Sequence, residues 1–275
     1  MITTDVSVII PTFRRPRELR ETLDSVRRQD DVEWEAIVVD DSPEAGAREL
    51  INSFHDSRIT YLANPTPTGG LPSRVRNLAW PRAQGRLLHF LDDDDLAPSG
   101  LYAWAKRIFE QRPRVGVVFG RVEPFGSVSM EQIQRERTFF SDAARRAAAC
   151  ARFGPKWGFA AQAIFDRALL VCGAGLIRRE CMISVGGFDP ELRLREDLDL
   201  FGRIIGRFGA HFEDRVSLHY RIGSPSLMHA PALGAGDVRD LDYARRRTQA
   251  KFFSEHGAVE YFALKTFNKL VLRTL

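Results

Sequence analysis

The sequence predicts an α/β protein, a single domain with a mostly parallel central sheet flanked by helices and a C-terminal helical elaboration. Two observations carry the α/β part of that expectation. Short β-branched runs alternate with helix-spaced apolar positions through the first half of the chain. Three of those runs end in polar punctuation: Pro11, Thr12 and Phe13; Asp40 and Asp41; Asp92, Asp93, Asp94 and Asp95. Parallel sheets bind ligands outside the carboxyl ends of their strands, so these separated segments are expected at one sheet edge.

Each element follows from its local pattern. Residues 6–10 form an apolar run stopped by Pro11, which reads as a buried strand. Pro16 then opens a helix whose Leu19, Leu23 and Val26 share one face. Residues 36–39 are a second strand, and residues 58–62 a third. Gly69, Gly70 and Pro72 punctuate a loop, and a helix is expected over 75–83. Residues 87–91 give the strand that ends in the four aspartates, followed by a helix marked by Leu101, Ala105, Ile108 and Phe109 and a strand over 115–119. The second half is less regular. Residues 130–152 read as a helix rich in Arg and Ala, residues 169–177 as an apolar stretch with two glycines, and residues 186–190 as a turn. Residues 196–208 and 239–253 are the remaining helix candidates, the latter basic.

Composition narrows the function classes. The 275 residues are 44% hydrophobic and 28% charged, ordinary globular usage that excludes fibrous and disordered classes. A net charge of +4 gives no licence for a nucleic-acid binder, and no recognition motif for one is visible. Three cysteines without metal-ligand spacing argue against a disulfide framework and fit a reducing, cytoplasmic setting. The start lacks a basic region and a cleavage site, so no secretion signal is expected, and no apolar run is long enough to span a bilayer.

Four consecutive carboxylates behind a buried strand repel one another, and a hard cation such as Mg²⁺ or Mn²⁺ shared with substrate phosphates would offset them. Competing motifs fail on spacing. An EF-hand starting at Asp92 would need an oxygen ligand at Leu96 and glycine at Ala97. The first strand is followed by Pro11, Thr12 and Phe13, not G-x-G-x-x-G, and no G-x-x-x-x-G-K-[ST] occurs.

The ordered set of Val6 to Phe13, Val38 to Ser42, Arg76-Asn77, Phe90 to Asp95, Gly186 to Asp189 and Arg195 to Leu200 resembles the family 2 glycosyltransferases over about residues 5–225. The resemblance implies the GT-A fold and inverting sugar transfer from a nucleotide-diphosphate donor, UDP by default, to an acceptor hydroxyl of a glycan or lipid-linked saccharide in polysaccharide synthesis. It implies roles by position. Pro11, Thr12, Phe13, Asp41 and the adjacent Asp40 would hold base and ribose, with Phe13 able to stack but not to donate a hydroxyl. Arg76 would approach the diphosphate, with Asp93 in the same donor set. Asp92 and Asp94 would form the D-x-D pair, Asp94 being the direct metal ligand. Asp197 would be the general base, beside Glu196. As a carboxylate at a helix start it is expected to be held ionised by the helix dipole. His229, beyond a glycine- and serine-rich stretch that reads as a lid, completes the expected metal set, against a reading as an ordinary surface histidine.

Residues 1–120 are expected to bind nucleotide, 121–225 to bind acceptor, and 226–275 to form the lid and basic amphipathic helices. Residues 239–275 carry eight Lys or Arg and four Asp or Glu, so this tail holds the whole +4 excess. Leu264, Phe267, Val271 and Leu275 fall on one helical face beside Lys265, Lys269 and Arg273. Such a face either lies on the anionic inner face of a membrane or packs on the core or on a second subunit as a homodimer contact. Trp157 is expected beside the acceptor or in the core. Two other functions stay open: a nucleotidylyltransferase, which would want a glycine-rich first loop that is absent, and a non-catalytic nucleotide-sugar-binding module, which would not need Glu196 and Asp197.

Overall fold

The computed structural model describes residues 4–69, 71–166, 168–223 and 235–274. The chain runs β1 (Val6–Thr12), α1 (Pro16–Arg27), β2 (Trp34–Asp40), α2 (Arg48–Ser53), β3 (Ile59–Ala63), α3 (Pro72–Ala79), β4 (Leu87–Phe90), α4 (Leu101–Gln111) and β5 (Val117–Phe125). It continues through α5 (Met130–Ala151), α6 (Trp157–Phe165), β6 (Gly175–Arg178), α7 (Arg179–Val185), α8 (Glu196–Phe208), β7 (Ala210–Arg221) and α9 (Ala235–Leu270).

One seven-stranded sheet has the order β3-β2-β1-β4-β6-β5-β7. All pairings are parallel except those of β6, which runs against both β4 and β5. The strand order reverses at β1, with β2 on one side and β4 on the other, and such a switch point opens a crevice at the carboxyl edge. Thr12, the last residue of β1, and Asp93, just past β4, meet there. The run Val8, Ile9 and Ile10 is fully buried, as a strand covered on both faces requires. Helix α1 buries Leu19, Leu23 and Val26 completely, and each large side chain taken from water contributes about 1.5–3 kcal/mol.

Five elements were not anticipated. Strand β7 is a sheet edge whose half-exposed charged residues, among them Glu213 and Asp214, mask its alternation and blunt the edge against further pairing. Helix α6 is buried nearly all round, so no amphipathic stripe marks it. Strand β6 is four residues at the end of an apolar stretch, and the six-residue α2 and seven-residue α7 are too short for a periodic signal. The C-terminal segment α9 is two helices in series, as expected, parted at Gly257, whose φ of 78° lies in the left-handed region. On the tail's apolar face Leu264 is buried and Phe267 packs edge-on against Phe153 and Trp157. Trp157 therefore sits in the packing between α6 and α9.

Candidate active site

The three strand ends and the start of α8 converge on one cavity of about 1430 Å³. Thr12 donates its hydroxyl to Asp93 Oδ2 at 2.7 Å, and the Phe13 amide reaches the same oxygen at 3.3 Å. Arg15 lies 2.8 Å from Asp94 Oδ2 and 3.3 Å from Asp93 Oδ1. Asp95 accepts from the Arg221 amide at 2.8 Å, while the Arg221 side chain donates to the Asp94 carbonyl at 2.7 Å. The acidic loop is thus pinned from β1, α1 and the end of β7.

Asp92 is the most open of the four, its side chain 38% exposed, and it receives Arg76 Nη2 at 2.6 Å. Arg76 is buried and donates its other terminal nitrogen to Glu196 Oε1 at 2.7 Å. One guanidinium therefore joins the loop after β4 to the first turn of α8. Phe188 supports it from beneath, its ring centroid 5.4 Å from Arg76 and edge-on to Phe90. The turn that brings Phe188 there needs Gly187, at φ 84°, because a Cβ would stand 2.7 Å from Trp80 Nε1.

Asp197 is set apart from its neighbours. Its hydrogen bond is to the Leu198 amide at 2.8 Å, and no cation lies within ion-pair distance among the described residues. Asp199, fully buried, is held by Arg203 at 2.8 Å and Lys251 at 2.8 Å, with the Thr248 hydroxyl at 3.1 Å. Lys251 also reaches Asp189 at 2.6 Å, so α9 clamps both α8 and the glycine turn.

Burial dominates the electrostatics. It pushes Glu196 from its ordinary 4.5 up to about 7, with the charge of Asp197 adding to the shift. Asp197 is raised as well, by burial first, against the pull of Arg76. The expected dipole-lowered Asp197 is therefore corrected: a helix terminus adds a partial charge, and removal of solvent outweighs it. Burial likewise raises Asp93 to about 7 and raises Asp94, where Asp92 adds to the shift. Cys172, buried in the same wall, has its thiol pushed well up by desolvation.

Pro11, Thr12, Phe13, Asp41, Arg76, Asp92, Asp93, Asp94, Glu196 and Asp197 all line the cavity. Asp40 does not. Its oxygens are occupied by the amides of Ser42 and Ala47, both at 2.9 Å, and by the Tyr61 hydroxyl at 3.2 Å. It shapes the turn that presents Asp41, whose oxygens hold Asn64 at 2.6 Å and the Thr68 amide and hydroxyl at 2.9 Å. His229 and the lid residues 224–234 lie outside the described residues.

Arg76 was legible in the sequence, but Arg15 and Arg221, which also stand against the acidic loop, were not. The signal was available in Arg14 and Arg15, directly behind the first strand. Among the described residues no three His, Cys, Asp or Glu side chains form a ready metal cage. Asp92 and Asp94 are nonetheless hard oxygen donors on the cavity, and Asp94 remains raised, by burial first and by the charge of Asp92, despite Arg15. That donor set fits a divalent cation bound by one or two carboxylates and completed by substrate phosphates.

Comparison with known proteins follows the same geometry. The chain is 35% identical over 91 residues to the UDP-Glc:alpha-D-GlcNAc-diphosphoundecaprenol beta-1,3-glucosyltransferase WfgD of Escherichia coli, covering 33% of this chain and 35% of WfgD. The chain thus spans about a third of the length of the curated relatives it matches. The crystal structure of Staphylococcus aureus TarS 1-349 in complex with UDP-GlcNAc superposes with a TM-score of 0.64 at 15% identity, over 95% of this chain and 76% of that one. The mannosyltransferase PcManGT from Pyrobaculum calidifontis, in complex with GDP-Man and Mn²⁺, gives 0.57 at 18% identity, over 98% and 82%. These likenesses show the fold, the expected GT-A type of mixed sheet flanked by helices. The model of the glycosyl transferase family 2 matches residues 7–163, more than half of the chain, and the chain belongs to that family.

Proposed function

We propose that the protein transfers a sugar from a nucleoside-diphosphate donor, a UDP-sugar, to an acceptor hydroxyl with inversion at the anomeric carbon, in the synthesis of a surface polysaccharide or lipid-linked glycan. The carrying observation is the placement of Asp197, a carboxylate without an ion pair among the described residues, in the same cavity as Asp92 and Asp94 and across the Arg76–Glu196 bridge from them. In the reaction the acceptor oxygen bonds to the anomeric carbon as the bond to the diphosphate breaks. Asp197 takes the acceptor proton as general base. Glu196 holds Arg76 in place, and Arg76 turns its charge toward the departing diphosphate. Phe13 and Asp41 border the base and ribose, with Pro11 and Thr12 forming the floor. Asp94 and Asp92 would hold a divalent cation, which supplies charge stabilisation to the leaving diphosphate. The acceptor is a glycan or lipid-linked saccharide, in keeping with the acceptor named for WfgD.

The exposed Lys265 and Lys269 fit a peripheral position on an anionic membrane face. Among the described residues no helix is long and apolar enough to cross a membrane. Flotation with anionic liposomes, with and without residues 258–275, checks the contact: equal flotation removes it.

The central test is UDP release from UDP-glucose and UDP-GlcNAc in the presence of bacterial lipid-linked saccharides, with and without Mn²⁺. Calorimetric titration with UDP runs beside it. Metal-dependent release and UDP binding are expected. Absence of both with every nucleotide diphosphate would overturn the reading.

A further inference from the structure

The carboxylate assigned above to a divalent cation already carries a cation of the protein's own. Arg15 Nη1 stands 2.8 Å from Asp94 Oδ2, and among the described residues no other side chain pairs with that carboxylate. Arg221 bonds the Asp94 carbonyl instead, and its ion pair is with Glu21 at 2.6 Å. Asp93 depends on Arg15 far less. Its Oδ2 takes the Thr12 hydroxyl and the Phe13 amide, and Arg15 approaches its Oδ1 only to 3.3 Å.

The three arginines against the loop differ in their freedom. Arg76 is buried between Asp92 and Glu196, and leaving either would strand a desolvated charge. Arg221 is bound through its amide and its side chain at once. Arg15 is the most open, its side chain 29% exposed on the cavity against 16% for Arg221 and 3% for Arg76. Water can replace such a partner at small cost. The residue before it, Arg14, holds φ 57°, in the left-handed region that disfavours a non-glycine side chain. The Ser42 hydroxyl, accepting from the Arg14 amide at 3.1 Å, and the ion pair of Arg14 with Glu44 at 2.6 Å hold that turn. Strain of this kind persists where the surroundings enforce it, and here it starts α1 beside the acidic loop.

Metal coordination and a guanidinium hydrogen bond draw on the same carboxylate charge, and two cations on one carboxylate repel. From these contacts we infer that Arg15 competes with the divalent cation for Asp94 and gives way when a nucleoside diphosphate draws the guanidinium to its own oxygens. Free cation is thereby kept off the acidic loop, and donor and metal bind as one event. A guanidinium suits the second partner as well as the first, since its fork matches phosphate oxygens. The inference rests on the divalent cation of the function proposed above.

Two titrations of the full chain test this: Mn²⁺ without nucleotide, read by the paramagnetic resonance signal of the free ion, and UDP without metal, read by calorimetry. Arg15→Gln should bind Mn²⁺ about tenfold more tightly than wild type and UDP about tenfold more weakly. A residue that only supports the fold would weaken both ligands when lost, so the opposite signs are the signature of competition. Arg15→Lys keeps the charge and should stay within about threefold of wild type for both. In an Asp94→Asn background the Mn²⁺ gain from Arg15→Gln should vanish. Melting temperature reads the fold of each variant. Unchanged or weaker Mn²⁺ binding in Arg15→Gln, a tenfold Mn²⁺ gain in Arg15→Lys, a gain that survives Asp94→Asn, or UDP binding in Arg15→Gln as tight as in wild type would each overturn the inference. If no form binds Mn²⁺ even with UDP present, the divalent-cation reading fails and takes the inference with it. If wild type binds no UDP under any condition, the sugar-transfer reading fails by itself, and the Mn²⁺ titrations still decide the competition for Asp94.

Discussion

Two acidic runs meet through Arg76, one in the loop after β4 and one in the first turn of α8, and they hold their charges differently. In the loop, Asp93 is tied to Thr12 and Arg15, Asp94 to Arg15 and Asp95 to the Arg221 amide, which leaves Asp92 the most open. In the helix, Glu196 is bound to Arg76 and Asp199 is enclosed by Arg203, Lys251 and Thr248, while among the described residues Asp197 accepts from the Leu198 amide and has no ion pair. The loop shares its carboxylates among cations and backbone, as suits a surface that must receive charge from a ligand. The helix separates its carboxylates: one enclosed in the protein interior, one in a bridge, one on the cavity. Proximity in sequence therefore says little about role, and the partner of each oxygen says most of it.

The sharpest way to break this comparison is to exchange the helix carboxylates singly. Asp197→Asn should lower turnover on the order of 10³-fold while leaving UDP affinity within a few-fold. Steady-state rates and titration read this, and near-normal turnover would remove Asp197 from the base role. Asp199→Asn should act on the fold instead. It strips Arg203 and Lys251 of a fully buried partner, at a cost of about 3–5 kcal/mol in urea unfolding. Its turnover should fall far less than that of Asp197→Asn.

Titration sharpens the same contrast. A base must be ionised, and burial raises both Glu196, to about 7, and Asp197. Turnover should therefore rise with pH along an acid limb displaced above the 3.8 of an ordinary aspartate. The stability sign is opposite. The folded state holds the Glu196 proton more tightly than the unfolded chain, so that contribution is full below 4.5 and is lost as pH rises through about 7. Stability and activity profiles measured over that range should slope in opposite directions. The smallest effect is expected at the clamp itself. Lys251→Met removes the link from α9 to Asp189 and Asp199, yet Arg247 and Arg203 remain, so unfolding should become easier by only about 1–2 kcal/mol.

Much of the donor half was legible because its rules are local. Val8, Ile9 and Ile10 can only be a buried strand, and Pro11 can only end it, so the loops at the sheet edge followed. The acceptor half obeys long-range rules. Helix α6 has no polar stripe because α5, α8 and α9 cover it, and β7 reads as irregular because one flank is solvent. Among site residues the acids announced themselves by clustering. Arg15 and Arg221 did not, since an arginine in an arginine-rich chain carries no pattern until its partners are known. Asp40 shows the converse: it shares the sequence signal of Asp41 but faces the backbone of its own turn.

Cys172 gives the site a reporter of its own. Its thiol is buried in the cavity wall and held protonated by that burial, so an alkylating reagent can reach it only when the wall parts. Cys150 and Cys181, buried within the fold with thiols pushed up to about 12, mark opening at other places. The rate of labelling at Cys172 relative to the other two measures how often the site opens without the fold unravelling. A ligand that closes the cavity slows that one clock and leaves the other two running.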